Sequence, residues 1–286
     1  SEMCIRDSYS PSPIYVFDPN RPWTADKRAA PGEEMIPESD PRSNHRRLGD
    51  LIVETRVKKV LTGAKGADGL IYFGGEGQRD YQGGGLGWID PETYETGGIW
   101  RPFSGYRIFW LTPALDGTVL VAGTKCGEDE LNEGLNPPQA AIMVFDVAKK
   151  EVVRKIEPVP HADKMGPMLE VKPGIVLGTT EDPEVAGGGL LYGVDIRSGE
   201  TLFVKKLPAS LSFNWTQGTD QWDYVMGPDG NIYTWLKNVL VRIHPDEVRI
   251  EVLGKADDSA RMTFVGNDLY LAGGYQVRRI RDVVHK

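Results

Sequence analysis

The sequence is poor in cysteine, in histidine and in long apolar runs. Only two of the 286 residues are cysteine and four are histidine, and they form neither a disulfide framework nor a Cys-x-x-Cys metal or haem motif. No stretch approaches the roughly 20 apolar residues that a membrane-spanning helix needs. The formal net charge is −8, which argues against binding to nucleic acid or to an anionic lipid surface. We therefore predict neither a nucleic-acid partner nor a membrane span, and we interpret short basic pairs such as Lys149-Lys150 as solvated strand ends.

The first eight residues, SEMCIRDS, have no apolar period, helix cap or turn pattern. Back-translated, they resemble the end of a transposase adapter used to prepare DNA libraries, so we expect residues 1–8 to be an artefact of that origin. On this interpretation Cys4 is not natural and leaves Cys126 as the only genuine cysteine. The native N-terminus and any export signal then lie upstream, and the source is an assembled microbial environmental sequence. The alternative is a native, disordered N-terminus.

Glycine and proline are abundant, with 34 and 20 copies, and long amphipathic helical patterns are absent. This composition is typical of an all-β chain with many short strands and turns. One five-residue phrase recurs six times, as IYVFD (14–18), LGWID (86–90), IMVFD (142–146), LYGVD (191–195), LVRIH (240–244) and VRRIR (277–281). Aspartate at its end, followed by turn residues, predicts a strand that ends in a tight turn.

A second phrase, a Gly or Asn turn before an apolar run, precedes each of the last five copies. It begins at Asp68, Asp116, Pro173, Asp229 and Asn267, and Asp-Gly between apolar runs is a strong hairpin signal. The unit is therefore strand a, turn, strand b, loop, strand c, Asp turn, strand d. It repeats every 40 to 55 residues or so, as the four-stranded blades of a β-propeller do.

The stretch GLLYGVDIRSGETLF, residues 189–203, resembles the blade signature of quinoprotein-like and YVTN propellers. Over residues 48–286 the chain is similar to the bacterial repeat β-propeller superfamily, which also includes gluconolactonase-like proteins. The resemblance implies a fold and not a function. The vicinal cysteine pair of a quinoprotein dehydrogenase is absent. A gluconolactonase-like Glu, Asn and Asp set could be supplied by Glu76, Asn214 and Asp220, but their flanking residues do not support that assignment.

We predict an all-β β-propeller of four-stranded antiparallel blades, with about four complete blades and a partial blade at each end. Residues 9–53 would form a partial first blade, interrupted by an irregular Pro- and charge-rich insertion at 21–47. The later blades would span approximately 54–104, 105–158, 163–208, 220–254 and 260–284 of residues 54–286. The phrase order predicts a longer parent protein, of about six to eight blades, and we expect the full-length protein to be a monomer.

The resemblance implies that the b–c and d–a connections share one end of the propeller, and these are the long ones: 76–85, 125–139, 180–189, 102–106, 158–166 and 210–222. Long loops on a rigid scaffold usually carry function. The candidate catalytic residues are His161, Glu76, Asp80 and Asp220. The candidate ligand-binding residues are Arg79, Tyr81, Tyr106, Lys164, Asn214, Trp215, Gln217 and Trp222. The candidate metal ligands are Glu128, Asp129, Glu181 and Asp182.

Three hypotheses follow from this set. Flat aromatic side chains among polar groups suit sugar rings, which favours a microbial, periplasmic or secreted module that binds a small molecule or polysaccharide. A metal-assisted hydrolase, lactonase or polysaccharide lyase on the same face is the alternative, and a scaffold for protein partners is the third. No cofactor motif is evident, and Ca²⁺ is the ion that grouped carboxylates would suit. The competing structural interpretation is a solvated acidic loop, tryptophans that cap the space between blades, and a loop histidine without chemistry.

Overall fold

The computed structural model describes residues 13–22, 24, 37, 39–44, 46–50, 57–77, 84–99, 102–103, 105–114, 116–126, 137–211, 224–236, 239–255, 261–273 and 276–285. Twenty-one strands lie in these segments. They are β1 (Pro13–Val16), β2 (Arg46–Asp50), β3 (Val57–Lys65), β4 (Ile71–Gly77), β5 (Leu86–Ile89), β6 (Thr96–Ile99), β7 (Tyr106–Pro113), β8 (Val119–Cys126), β9 (Ile142–Asp146), β10 (Glu151–Ile156), β11 (Met168–Lys172), β12 (Ile175–Glu181), β13 (Gly189–Asp195), β14 (Thr201–Lys206), β15 (Val225–Met226), β16 (Ile232–Leu236), β17 (Val239–His244), β18 (Arg249–Lys255), β19 (Arg261–Val265), β20 (Asp268–Gly273) and β21 (Gln276–Ile280). Short 3₁₀ turns occupy Ala209–Leu211 and Val283–His285.

The strands form a β-propeller, and the predicted fold class is confirmed. Four sheets have four antiparallel strands each, in chain order: β3–β6, β7–β10, β11–β14 and β15–β18. We call these the first to fourth blades. The fifth blade, β19–β21, has three strands, and an N-terminal pair, β1–β2, has two. The prediction of about four complete blades with a partial blade at each end is thus confirmed for the part of the chain that the structure describes.

Aspartate turns set the register of the hairpin between the third and fourth strands in the first, second and third blades. His244 takes the place of the aspartate in the fourth blade. The Asp90, Asp146 and Asp195 carboxylates each accept a backbone N–H two or three residues on, at 2.7 to 2.9 Å. These hydrogen bonds lower the pKa of all three carboxyl groups. The fourth residue after the phrase end then adopts a positive φ, at Tyr94, Lys150, Gly199 and Val248. Only glycine takes this conformation without cost, so three of the four turns hold a strained residue.

Adjacent blades pack through buried apolar side chains on facing sheets. Separate core clusters lie between the N-terminal pair and the first blade, and between each blade and the next through the fifth. The approach between the first and second blades is close. A Cβ at Gly74 of β4 would lie 2.5 Å from Cγ2 of Ile108 on β7. The Thr62 hydroxyl also accepts a hydrogen bond from the Leu111 backbone N–H at 3.0 Å, so inner strands are joined by polar contacts as well.

Two blades carry the same Asp–Tyr–cation cluster at the hairpin between their first two strands. In the first blade the Tyr72 hydroxyl donates to Asp68 at 2.8 Å, and the ammonium of Lys150 from the second blade lies 2.7 Å from the same carboxylate. In the fourth blade the Tyr233 hydroxyl donates to Asp229 at 3.0 Å, and Arg242 lies 3.4 Å from that hydroxyl. Burial raises the pKa of Tyr233 to about 12. Lys150 is therefore not the solvated strand end that we predicted, because it fastens the second blade to the first.

No helix among these segments has the length and apolar composition needed to cross a membrane.

Candidate ligand-binding face

Each blade has two ends of different character. We call the end with the Asp-Gly and phrase-end turns the turn face, and the end with the b–c connections and the links between blades the loop face. Among the described residues the loop face is best defined between the second and third blades. There the link 157–167 joins β10 of the second blade to β11 of the third. The b–c connection 182–188 of the third blade joins β12 to β13 and lies at the same end of the blades.

The link 157–167 is held by hydrogen bonds to both of the blades that it joins. Its Ala162 carbonyl accepts from Ala140 N–H at 2.6 Å, and its Met165 N–H donates to the Thr124 carbonyl at 2.8 Å, both in the second blade. Toward the third blade, Gly166 N–H donates to the Thr179 carbonyl at 2.9 Å. Ala162 and Met165 are fully buried. The link is thus a fixed part of the scaffold, which positions the side chains that point away from it.

His161 is one of the exposed residues of this link. Its φ is +61°, a conformation that histidine adopts more readily than most residues but that still costs free energy. Its backbone N–H donates to Oε1 of Gln139 at 2.9 Å, which helps to hold that conformation. The imidazole makes no hydrogen bond to the described part of the chain.

Gln139 also joins His161 to a charged pair. Its side chain hydrogen-bonds to the carboxylate of Glu157, whose other partner is the Lys155 ammonium at 2.5 Å. The hydrogen bond from Lys155, helped by that of Gln139, lowers the pKa of Glu157. The carboxylate therefore stays ionised at neutral pH and can accept hydrogen bonds. Gln139, Glu157 and His161 form one polar cluster at the mouth of the second blade, and we call them the loop-face triad.

Tyr106, which we predicted to bind a ligand through its ring, is only 4% exposed. It packs in the core between the first and second blades, and the Lys155 ammonium lies 5.2 Å from its ring centroid. The ring therefore contacts Lys155 of the Lys155–Glu157 ion pair and does not form part of the exposed surface.

Lys164, Glu181 and Asp182 follow one another across the boundary between the second and third blades. The Lys164 carbonyl accepts a hydrogen bond from the Thr180 hydroxyl, which brings the link next to the end of β12. Asp182 is 7% exposed and accepts the Glu184 backbone N–H at 3.0 Å. The ammonium of Lys206 lies 3.2 Å from its other oxygen, and Asp182 raises the pKa of that lysine. Asp182 therefore stabilises its own loop.

Among the described residues, no group of three or more His, Cys, Asp and Glu side chains could hold a metal ion. Neither Glu181 nor Asp182 thus belongs to such a group within that part of the chain. The other predicted site residues lie outside it: Arg79, Asp80, Tyr81, Glu128, Asp129, Asn214, Trp215, Gln217, Asp220 and Trp222. Of Glu76 only the backbone is described, in β4. For all of these residues the assigned roles stay predictions.

Sequence reasoning missed several residues that shape this face. Gln139 ends a long connection, and Glu157 follows an alternating strand, so neither stands out by type or spacing. Buried hydroxyls were missed as well. The Thr124 hydroxyl donates to the Ala141 carbonyl at 2.7 Å, and the Thr179 hydroxyl accepts from the Tyr224 phenol at 3.0 Å. The available signal was the position of both threonines late in strand b of neighbouring repeats.

No protein-family model and no curated protein sequence matches the chain. Solved structures do match it. A chain of the mitotic checkpoint complex aligns over 79% of this chain and 62% of its own length, with 11% identity and a TM-score of 0.54. Virginiamycin B lyase from Staphylococcus aureus aligns over 77% and 66%, with 14% identity and a TM-score of 0.50. Hydrazine synthase from Kuenenia stuttgartiensis aligns over 74% and 61%, with 16% identity and a TM-score of 0.49.

The fold of this chain is that of a β-propeller. The first two matches show this fold and nothing beyond it, because their sequence identity is low. The chain also spans less than two thirds of the length of each of these three solved chains. Function must therefore be argued from the loop face itself.

Proposed function

We propose that this chain is a ligand-binding β-propeller that takes a carbohydrate on its loop face. The observation that supports this proposal is the loop-face triad: Glu157 and His161 lie on a link that hydrogen-bonds to two blades, and Gln139 of the second blade contacts both of them. The side chains of Gln139 and Glu157 are held by hydrogen bonds, so a ligand does not have to order them, and this lowers the entropic cost of binding.

The chemistry of the triad suits a neutral polyhydroxylated ligand. An ionised carboxylate accepts hydrogen bonds from sugar hydroxyls, while an amide and an imidazole can both donate and accept. The sequence adds the aromatic residues Tyr81, Trp215 and Trp222 to connections of the same predicted face, and such rings supply flat apolar area for a sugar ring. Few precisely placed polar groups beside apolar area are the usual composition of a small-molecule site.

The test is a glycan array, followed by saturation-transfer NMR on the glycans that bind. Glu157→Gln and His161→Ala should each weaken binding by about tenfold, which is the usual effect of losing one or two hydrogen bonds to a ligand. The loss is larger when one partner of the hydrogen bond is charged. Glu151→Gln is the matched control, because Glu151 lies at the other end of the same strand, on the turn face, and is also exposed. The control should bind like the wild type.

The proposal fails if no glycan binds, or if both triad variants bind as tightly as the control. A different result would favour the enzyme hypothesis instead. In that case a glycan would be converted by the wild type, and His161→Ala would bind it with unchanged affinity but no longer convert it.

A further inference from the structure

A cavity of about 300 Å³ opens between the second and third blades on the turn face, at the opposite end from the triad. Its inner wall is apolar and includes Val119, Val144 and Ile196, while the side chains of Arg154 and Arg197 lie at its polar side. The volume is at the small end of the range of ligand sites, which runs from about 300 to 1,000 Å³. The apolar wall is part of the core between the second and third blades, but two guanidinium groups beside it are not needed for that packing, and the proposed carbohydrate site does not use them.

Glycines in two turns hold the arginines in place. Gly174 has a φ of +87°, and a Cβ there would lie 2.9 Å from Cδ of Arg197. Gly199 has a φ of +85°, and a Cβ there would lie 3.2 Å from Cδ of Arg154. The aliphatic part of each arginine thus lies directly against a turn glycine, which has no side chain. Their positions are set by the backbone of the third blade.

The guanidinium groups keep most of their donors. Nη1 of Arg154 donates to the Ser198 carbonyl at 3.0 Å, and the Arg197 guanidinium makes no hydrogen bond within the described segments. A guanidinium offers five N–H donors in a planar fork that matches a carboxylate.

The two acidic residues beside the cavity are already engaged. Asp116 accepts the Thr118 backbone N–H at 3.0 Å and the Thr118 hydroxyl at 2.8 Å. Glu170 is 5% exposed and accepts the Gly174 backbone N–H. Both carboxylates accept hydrogen bonds within their own blades, and the Asp116 carboxylate also attracts the Arg197 guanidinium electrostatically. The charged N–H donors that the cavity offers to a ligand are those of Arg154 and Arg197.

We propose that this cavity binds a small organic monocarboxylate, with its carboxylate on Arg154 and Arg197 and its compact apolar part against the valine and isoleucine wall. Bidentate arginine–carboxylate pairing supplies orientation, and the apolar wall selects against small inorganic anions. The site is separate from the loop face, and it does not depend on the carbohydrate proposal.

The experiment is calorimetry with the purified chain and a panel of isovalerate, benzoate and phenylacetate. Isovaleramide and benzamide are the neutral counterparts of two of these acids, and sulfate is an anion that has no apolar part. Acids should bind and the amides should not. Arg197→Gln and Arg154→Gln should each weaken binding of the acid by about tenfold or more, as loss of a charge-assisted hydrogen bond does. Arg249→Gln, in an exposed turn-face position of the fourth blade, is the control and should leave affinity unchanged.

A second variant guards against misfolding of the arginine variants. Val153 lines the cavity and is 43% exposed, so Val153→Trp should fold normally and block the cavity. Thermal unfolding checks that each variant is folded. The proposal is overturned if no acid binds up to its solubility limit, if an amide binds as well as its acid, or if Val153→Trp and Arg197→Gln both bind like the control.

Discussion

Lys150 should contribute more to stability than its exposed turn position suggests. Its ammonium lies 2.7 Å from the Asp68 carboxylate, hydrogen-bonds to the Tyr72 hydroxyl, and lies 4.7 and 5.1 Å from the ring centroids of Tyr72 and Trp88. The side chains of Lys150 and Asp68 are 31% and 28% exposed. A screened ion pair contributes roughly 0.2–1 kcal/mol and a partly exposed cation–π contact about 0.5–1 kcal/mol. Together these contacts lead us to expect a loss of about 2 kcal/mol for Lys150→Met.

The measurement is thermal unfolding of the wild type, Lys150→Met, Asp68→Asn and the double variant. A loss of about 2 kcal/mol should lower the midpoint by about 3 °C in a chain of this length. The coupling between the two sites should be about 1 kcal/mol. Lys149→Met is the control. Lys149 neighbours Lys150 in sequence, but its side chain is 62% exposed and lies 3.6 Å from Asp146, so the cost should stay below about 0.5 kcal/mol.

The effect should also depend on pH in a defined direction. Burial alone would raise the pKa of Asp68, but the hydrogen bonds from Lys150 and Tyr72 outweigh it, and the pKa is lowered. The stabilisation is therefore complete above the unfolded-state pKa of about 3.9 and is lost as the pH falls through the lower folded-state value. The reasoning is refuted if Lys150→Met costs no more than Lys149→Met at pH 7, or if the coupling with Asp68 is zero within error.

Three further predictions concern close packing, turn strain and acid sensitivity. Gly74→Ala should cost about 1–3 kcal/mol because of overpacking against Ile108, whereas Gly254→Ala, with nothing within 4 Å of the added carbon, should be close to neutral in urea unfolding; equal costs would contradict the packing argument. Val248→Asn should raise the thermal midpoint, since valine at a φ of +49° is strained by about 1–2 kcal/mol and only part of its side chain is packed; an unchanged or lower midpoint would count against strain. Asp195→Asn should lose less stability than the wild type between about pH 5 and pH 2, because backbone hydrogen bonds lower the pKa of the native carboxyl and acid removes that contribution; parallel pH profiles would show that the turn carboxylate does not contribute.

The strands of the propeller could be predicted because their signals are local. The phrase IMVFD coincides with β9, and LYGVD ends β13 at Asp195. Each of these strands ends at an aspartate whose carboxylate bonds to the next backbone N–H groups. The alternation of apolar and polar residues, the turn residues and the repeat length therefore predict the same hairpins. Because these signals agree, the fold could be predicted from one sequence.

The loop face could be predicted only in part. The sequence points to His161, but its partner Gln139, which also contacts Glu157, comes from a different connection of the second blade, and the contact exists only once that blade has folded and the link 157–167 has packed against it. Backbone bonds such as that between Ala140 and Ala162 use groups that every residue carries, so no residue type announces them. Tyr106 shows the converse limit. An aromatic residue beside a loop is compatible with a ligand site and with a core position. In the structure Tyr106 is buried and belongs to the core.

The chain order within the blades has a consequence for folding. Hydrogen-bonded neighbours within a sheet are consecutive strands in every described blade, so backbone pairing closes only short loops, and contacts over long sequence distances arise where one blade meets the next. Such an array can begin to fold at any blade and extend to its neighbours. The backbone amides of one blade should therefore share a similar protection from hydrogen exchange, and the protection should differ from blade to blade. Among the five blades, the three-stranded fifth blade, which packs against the fourth, should be the first to exchange.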